Sequence, residues 1–206
     1  MNTGFSTNEL SKEEQESFIS NINITLLTAE PAKKNILCFD VNESGLVAIG
    51  QVGSNRKVLC VYNAEGAFLY GYTFNCTGTF VAEWNSEYLN IYFVRSDVII
   101  SLDSDGNILD IKEVQNTIDN NAHNNTLLYS TSRIVGDTTY LVRNDMGIFN
   151  WVATSYSQII AMDTNGVEHI IYDVPSPQPG EIVVSLIVIL IFVSTTIASS
   201  IKKKVN

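Results

Sequence analysis

The chain has 206 residues, a formal net charge of −10 and three cysteines. Leaving aside the lysines at 202–204, nine basic residues face twenty-two acidic ones, a net charge of −13. Such a surface repels nucleic acid, so the sequence argues against a nucleic-acid partner. An odd number of cysteines cannot close a disulfide framework, and none of the three has the spacing of a zinc site. No metal and no cofactor is predicted, and Cys38 and Cys60, which lie in apolar runs, are predicted to be buried.

Residues 1–34 are predicted to form a polar helix and a lead-in strand. Ser11 stands three residues before Glu14, the spacing of a capping box, which predicts a helix over about 12–20. After it, apolar and polar residues alternate as in a half-buried strand. The apolar positions are Ile22, Ile24 and Leu26.

Residues 35–174 are predicted to form one β-repeat domain. Three segments, 58–72, 98–112 and 158–172, each contain an apolar strand, an Asn or Asp three residues before a glycine, and a second strand. The Asn or Asp side chain can bond to the backbone of a tight turn, and glycine adopts the positive φ that a short hairpin needs. The predicted structural turn residues are Asn63, Gly66, Asp103, Gly106, Asp163 and Gly166.

A second match completes each repeat. Residues 39–49 align with residues 82–92, so each unit contains two hairpins, or four antiparallel strands. In the third unit we expect the first two strands near 127–134 and 138–143. The sequence therefore predicts a mainly β fold of about three four-stranded units.

These hairpins, of which VLCVYNAEGAF is one, resemble the blades of NHL and WD-repeat β-propellers, although the Trp-Asp dipeptide and the Gly-His pair are absent. The resemblance covers about 36–173 and implies blades around a common axis. Propellers have about four to eight blades, whereas three units are found here. The array would therefore gain strands from the N-terminal region, stay open, or close by pairing two chains.

The C-terminal region predicts a membrane anchor. A proline-rich linker over 175–181 precedes the twenty uncharged residues 182–201, and a basic tail follows at 202–206. As a helix, 182–201 would be roughly 30 Å long, the thickness of a hydrocarbon core. The sequence thus predicts a single-pass, tail-anchored protein that contacts membrane lipid through 182–201.

Two orientations in the membrane are consistent with the sequence. The N-terminus lacks the basic and apolar regions of a signal peptide, which favours a domain in the cytoplasm. The positive-inside rule places the lysines at 202–204 in the cytoplasm and the domain on the other side. We expect a cytoplasmic domain, and the opposite orientation stays open.

No catalytic signature is found, and no catalytic residue is predicted. The two histidines, His123 and His169, are expected at the surface or in turns. The acidic turn 103–106 has too few oxygen ligands for calcium. We therefore expect a membrane-anchored, non-catalytic module that binds a protein partner. The alternatives are a ligand-binding receptor or enzyme that uses a cleft of the β-repeat array, and a structural protein that forms homo-oligomers in the membrane.

Overall fold

A computed structural model of the protein describes residues 1–53, 56–144, 156–174 and 187–191. The chain is mainly β, as predicted, and its strands form three antiparallel sheets. The N-terminal region contributes β1 (Thr7–Glu9), α1 (Lys12–Ile22) and β2 (Thr25–Leu27).

The capping box predicted for the first helix is confirmed. The Glu14 N–H donates to Ser11 Oγ at 3.3 Å, and the Glu14 carboxylate accepts the Ser11 N–H at 2.9 Å. These bonds satisfy donors that a helix N-terminus otherwise leaves unpaired. The strand predicted from Ile22 onwards is wrong in its first half, because Ile22 ends the helix and Asn23 closes it in a left-handed conformation, with φ of 44°.

The first sheet consists of four consecutive strands and β2. The four are β3 (Ile36–Val41), β4 (Val47–Gln51), β5 (Arg56–Tyr62) and β6 (Phe68–Asn75), in the order β2-β6-β5-β4-β3. The second sheet repeats this plan with β7 (Phe80–Asn85), β8 (Tyr88–Phe93), β9 (Val98–Leu102) and β10 (Ile108–Val114). Its order is β1-β10-β9-β8-β7. In both sheets a three-residue strand from the N-terminal region therefore covers the outer edge of the last strand.

Helix α2 (Ile118–Tyr129) precedes the third sheet, whose strands are β11 (Ser132–Val135), β12 (Thr138–Arg143), β13 (Gln158–Met162) and β14 (Glu168–Asp173). The strand predicted near 127–134 is wrong over its first part, because α2 extends to Tyr129. Thr117 caps this helix by accepting the Asn120 N–H at 3.1 Å. The apolar pair at 127–128 fits one face of a helix as well as it fits a strand.

The resemblance to NHL and WD-repeat propeller blades is wrong. The three sheets do not close around an axis and are not propeller-like, and two of them have a fifth strand. The residues that carried the resemblance specify local turns, and Asn/Asp-x-x-Gly turns occur in any antiparallel meander. They contain no information on how one sheet packs against the next.

Two apolar clusters lie on either side of the first sheet. One joins it to the second sheet and includes Phe74, Phe80 and Ile91, and the other joins it to the third sheet and includes Phe39 and Ile159. The first sheet is therefore the middle layer of the fold. Within it, Cys38 and Cys60 are buried as predicted, and burial raises the pKa of each thiol to about 12.

The hairpin turns also contact neighbouring sheets. The Tyr72 hydroxyl on β6 donates to the Asp103 carbonyl oxygen at 2.5 Å, which ties the turn of the second sheet to the first. The turn at Gly66 lies against β14, so closely that a Cβ on Gly66 would be 2.8 Å from the Ile171 carbonyl oxygen. At Gly166, in the third sheet, a Cβ would meet none of the described atoms within 4 Å.

Among the described residues, none of the helices has the length and apolar character that a bilayer crossing requires. Of the predicted span 182–201, the structure describes only 187–191, which are helical and exposed. The rest of that span, the linker at 175–181 and the tail at 202–206 lie outside the described residues.

Candidate functional site

The predicted turn residues occupy three separate turns rather than one site. In each turn the Oδ1 atom of Asn63, Asp103 or Asp163 accepts the backbone N–H groups two and four residues further on, at 2.8 to 3.1 Å. The glycines Gly66, Gly106 and Gly166 have φ of 79°, 85° and 79°. Hydrogen bonding from the Asn107 side chain lowers the pKa of Asp103. Each Asn or Asp side chain thus stabilises the turn that contains it.

The N-terminal segment (residues 2–6) lies in a groove formed by the second sheet and α2. The groove residues are Glu83 on β7, Asn90 and Tyr92 on β8, and Asn120 and His123 on α2. Glu83 and Asn90 are cross-strand partners, so their side chains stand on the same face of the sheet. Two positions along β8 from Asn90, Tyr92 shares that face. We call these five residues the N-terminal groove.

Two asparagine side chains of the groove bind the backbone of the segment. Asn120 Oδ1 accepts the Ser6 N–H at 2.8 Å, and Asn120 Nδ2 donates to the Ser6 carbonyl oxygen at 2.9 Å. Asn120 is buried, and its Nδ2 also donates to the Gln115 carbonyl oxygen at 2.6 Å. Asn90 Nδ2 donates to the Asn2 carbonyl oxygen at 3.0 Å. Bonds of this kind recognise a peptide backbone whatever side chains it carries.

Glu83 recognises the next part of the segment. Its carboxylate accepts the Gly4 N–H at 2.7 Å and the Thr3 hydroxyl at 2.9 Å, and lies 3.4 Å from His123 Nε2. A Cβ on Gly4 would be 2.3 Å from the His123 ring. The groove therefore has room for glycine alone at this position, unless the imidazole moves.

Phe5 anchors the segment. Its side chain is buried, and its ring centroid lies 4.7 Å from that of Tyr92 and 4.6 Å from that of His123, which it meets edge-on. Aromatic pairs at this separation attract beyond the area they bury. His123 lies on helix α2 rather than in a turn, and its side chain, which is 30% exposed, lies partly at the surface as expected. His169 is exposed on β14.

Two partly buried carboxylates lie on adjacent sheets, but they do not form an acid–base pair. Asp40 on β3 accepts the Trp84 N–H at 2.8 Å and Arg133 Nε at 2.9 Å. Glu83 is bonded to the N-terminal segment, and neither carboxylate bonds to another in the described part of the chain. Nor do the described residues contain a group of three or more His, Cys, Asp or Glu side chains able to hold a metal ion.

Apart from the N-terminal groove, a cavity lies between β3, the end of α2 and the third sheet. Its volume is about 390 Å³, and it is lined by 36–39 of β3, 128–130 at the end of α2, Val142 and Tyr156. The lining is mostly apolar. The volume lies within the usual range for sites that hold small ligands.

The groove could not be recognised from sequence patterns, because its contacts join residues that are about 80 to 114 positions apart. One signal was present. Gly4-Phe5 is a glycine followed by a single aromatic residue within an otherwise polar stretch, which indicates a residue with a place to pack. No protein-family model, no curated protein and no solved structure matches the chain.

Proposed function

We propose that the protein is a membrane-anchored interaction module, without catalytic activity, that binds a peptide segment in the N-terminal groove. The observation that carries the proposal is the pair of bonds from buried Asn120 to both backbone groups of Ser6. A buried amide directed at a peptide unit is a means of recognising main chain, and the adjacent Phe5 site supplies the apolar anchor.

The N-terminal segment is the internal occupant of this groove. A partner segment would have the same features. These are a glycine at the His123 contact, an aromatic residue next to it, and then a residue whose backbone N–H and carbonyl can bond to Asn120. An occupant on the same chain has an effective concentration in the millimolar range. A partner must therefore bind tightly or meet the protein when residues 2–6 are displaced.

A labelled peptide with the sequence of residues 2–9 tests the proposal. We expect the full-length chain carrying Phe5→Asp to bind this peptide at least tenfold more tightly than the unaltered chain, because a buried carboxylate expels the internal segment. Fluorescence anisotropy in detergent measures the binding, and the peptide should also raise the Tm of the variant.

Two controls make that result specific. Adding Asn120→Ala to Phe5→Asp should abolish peptide binding, and a peptide with Asp in place of its phenylalanine should not bind. If the Phe5→Asp chain keeps its far-ultraviolet circular dichroism but binds the peptide no better than the unaltered chain, the groove is a purely internal contact.

Assembly is the second candidate function. β1 pairs with the outer edge of β10 through three residues only. The same strand from another copy could take its place, which would give a homo-oligomer by exchange of identical segments. Cross-linking between β1 and β10 that yields only monomers in membranes would rule this out.

Attachment to the membrane is proposed from the uncharged sequence of 182–201. We expect the full-length protein to remain in the pellet when membranes are washed with alkaline carbonate, and a chain with lysine at positions 187 and 190 to be released, because each buried charge opposes insertion. Release of the unaltered chain would contradict the anchor. Protease protection of intact membranes then tests the cytoplasmic orientation of the domain.

A further inference from the structure

The loop between β2 and β3, residues 28–35, crosses the junction of the first and third sheets. Beneath it the rings of Tyr62, at the end of β5, and Tyr172, on β14, meet nearly edge-to-face. Their centroids are 5.4 Å apart, and their planes form an angle of 70°. Both side chains are fully buried in the presence of the loop. The two rings form an aromatic corner.

The ammonium group of Lys33 lies in this corner. Its Nζ atom is 5.6 Å from the Tyr62 centroid, 5.2 Å from the Tyr172 centroid and 3.4 Å from Glu30 Oε1. The electron-rich faces of aromatic rings attract cations, and two faces joined by a carboxylate form the type of cage that binds alkylammonium groups. We call Tyr62, Tyr172 and Glu30 the cation cage.

The cage is held in shape without the Lys33 side chain. The Tyr62 hydroxyl donates to Glu30 Oε1 at 2.9 Å. The Tyr172 hydroxyl accepts the Lys34 N–H at 2.9 Å and donates to the Lys34 carbonyl oxygen at 2.7 Å. Burial and the neighbouring charges raise the pKa of both tyrosines, so both hydroxyls stay protonated and able to donate. Removing the Lys33 side chain should therefore leave an empty, preformed corner.

The occupant of the cage and the carboxylate beside it are partly exposed to solvent. The side chains of Lys33 and Glu30 are 28% and 37% exposed, so the ammonium group can leave without unfolding the sheets. Three hydrogen bonds to Glu30 and Lys34 already fix the loop, and the Lys33 contact is not needed to hold it. An exposed cation–π contact is weak compared with a buried one, and a competing cation can replace it.

We infer that the cation cage binds the alkylammonium group of a lysine side chain from a protein partner, and that Lys33 is its internal occupant in the free protein. Methylated lysine should bind more tightly than lysine, because its ammonium group is less strongly hydrated and fills more of the corner. The net charge of −10 attracts such a cationic partner. This site shares no residue with the N-terminal groove, and the inference is independent of the proposed function.

The test uses the full-length chain with Lys33→Ala and the ligand N-acetyl-trimethyllysine amide. We expect the variant to bind the ligand at least tenfold more tightly than the unaltered chain, measured by calorimetry or by ligand-observed NMR. Lys34→Ala is the matched control. It removes the neighbouring lysine side chain but leaves Lys33 in the cage, and it should bind no better than the unaltered chain.

Three further arms decide the result. A neutral ligand with carbon in place of the quaternary nitrogen should bind at least tenfold more weakly, and Glu30→Gln added to Lys33→Ala should weaken binding of the ammonium ligand at least threefold. Glycerophosphocholine tests for a lipid headgroup. The inference is overturned if the folded variant binds no ammonium ligand, if the neutral ligand binds equally well, or if glycerophosphocholine binds more tightly than the lysine ligand.

Discussion

Alanine in place of Gly66 should destabilise the protein by about 3 kcal/mol, against about 1 kcal/mol for alanine in place of Gly166. The two residues occupy the same position in sister turns and share a φ of 79°, so the backbone cost of a side chain is the same at both. The difference comes from packing. A Cβ at Gly66 would be 2.8 Å from the Ile171 carbonyl oxygen and 3.3 Å from the Ile170 carbonyl oxygen, and strand backbone cannot move aside as a flexible side chain can.

Urea denaturation of both variants measures this difference. Thermal unfolding makes the same comparison, and we expect a Tm for Gly66→Ala that is about 4 to 8 °C below that of Gly166→Ala, given the usual relation for a chain of this length. Gly106→Ala is a second control, because its nearest neighbour would be the Leu26 Cβ at an ordinary 3.5 Å. Equal losses in the three variants would show that the first and third sheets do not pack through the Gly66 turn.

The second large effect is expected at Asn120. Asn120→Ala removes three hydrogen bonds and leaves the Ser6 N–H without its partner. The Ser6 carbonyl keeps the Gln115 N–H at 3.0 Å, and the Gln115 carbonyl keeps the Thr117 N–H at 2.9 Å. A buried polar group that loses its only partner costs about 1 to 3 kcal/mol, and part of this loss is recovered because water can reach the opened groove. We expect a total loss of about 2 kcal/mol in the free energy of unfolding.

The neighbouring Asn121 is the matched control, because it lies on the same helix, is exposed, and makes a single long side-chain bond of 3.4 Å to Asn116. Asn121→Ala should change stability by less than about 0.5 kcal/mol. Hydrogen exchange adds a local measurement, because amides of residues 4–9 should lose protection in Asn120→Ala and keep it in Asn121→Ala. Unchanged protection in both variants would mean that Asn120 does not hold the segment.

Local features of this fold can be predicted from the sequence. The side chains of Ser11 and Glu14 each bond to the other's backbone N–H, and Asn63 binds the backbone of its own turn. The residues that determine these structures are therefore no more than four positions apart. The buried cysteines follow from the apolar runs around them. The periodicity of the hairpins likewise predicts an antiparallel, mainly β chain.

Contacts between residues that are far apart in the sequence cannot be predicted from such local patterns. The propeller arrangement was wrong because turn residues such as Gly66 specify a hairpin and say nothing of its neighbours, although Gly66 proves to be a packing position as well. Helix α2 was misread in part because Leu127 and Leu128 suit either periodicity, and the capping Thr117 decides between them. The groove depends on Asn120 meeting Ser6, and no local pattern connects residues 114 positions apart.

The pairing of β1 with β10 has a consequence for synthesis. Asn8 pairs with Glu113, so β1 is synthesised 105 residues ahead of the part of β10 with which it pairs. At about 5 to 20 residues per second, this delay lasts roughly 5 to 20 seconds. During this time β1 lacks the strand with which it pairs, and it can join its sheet only after β10 has been made.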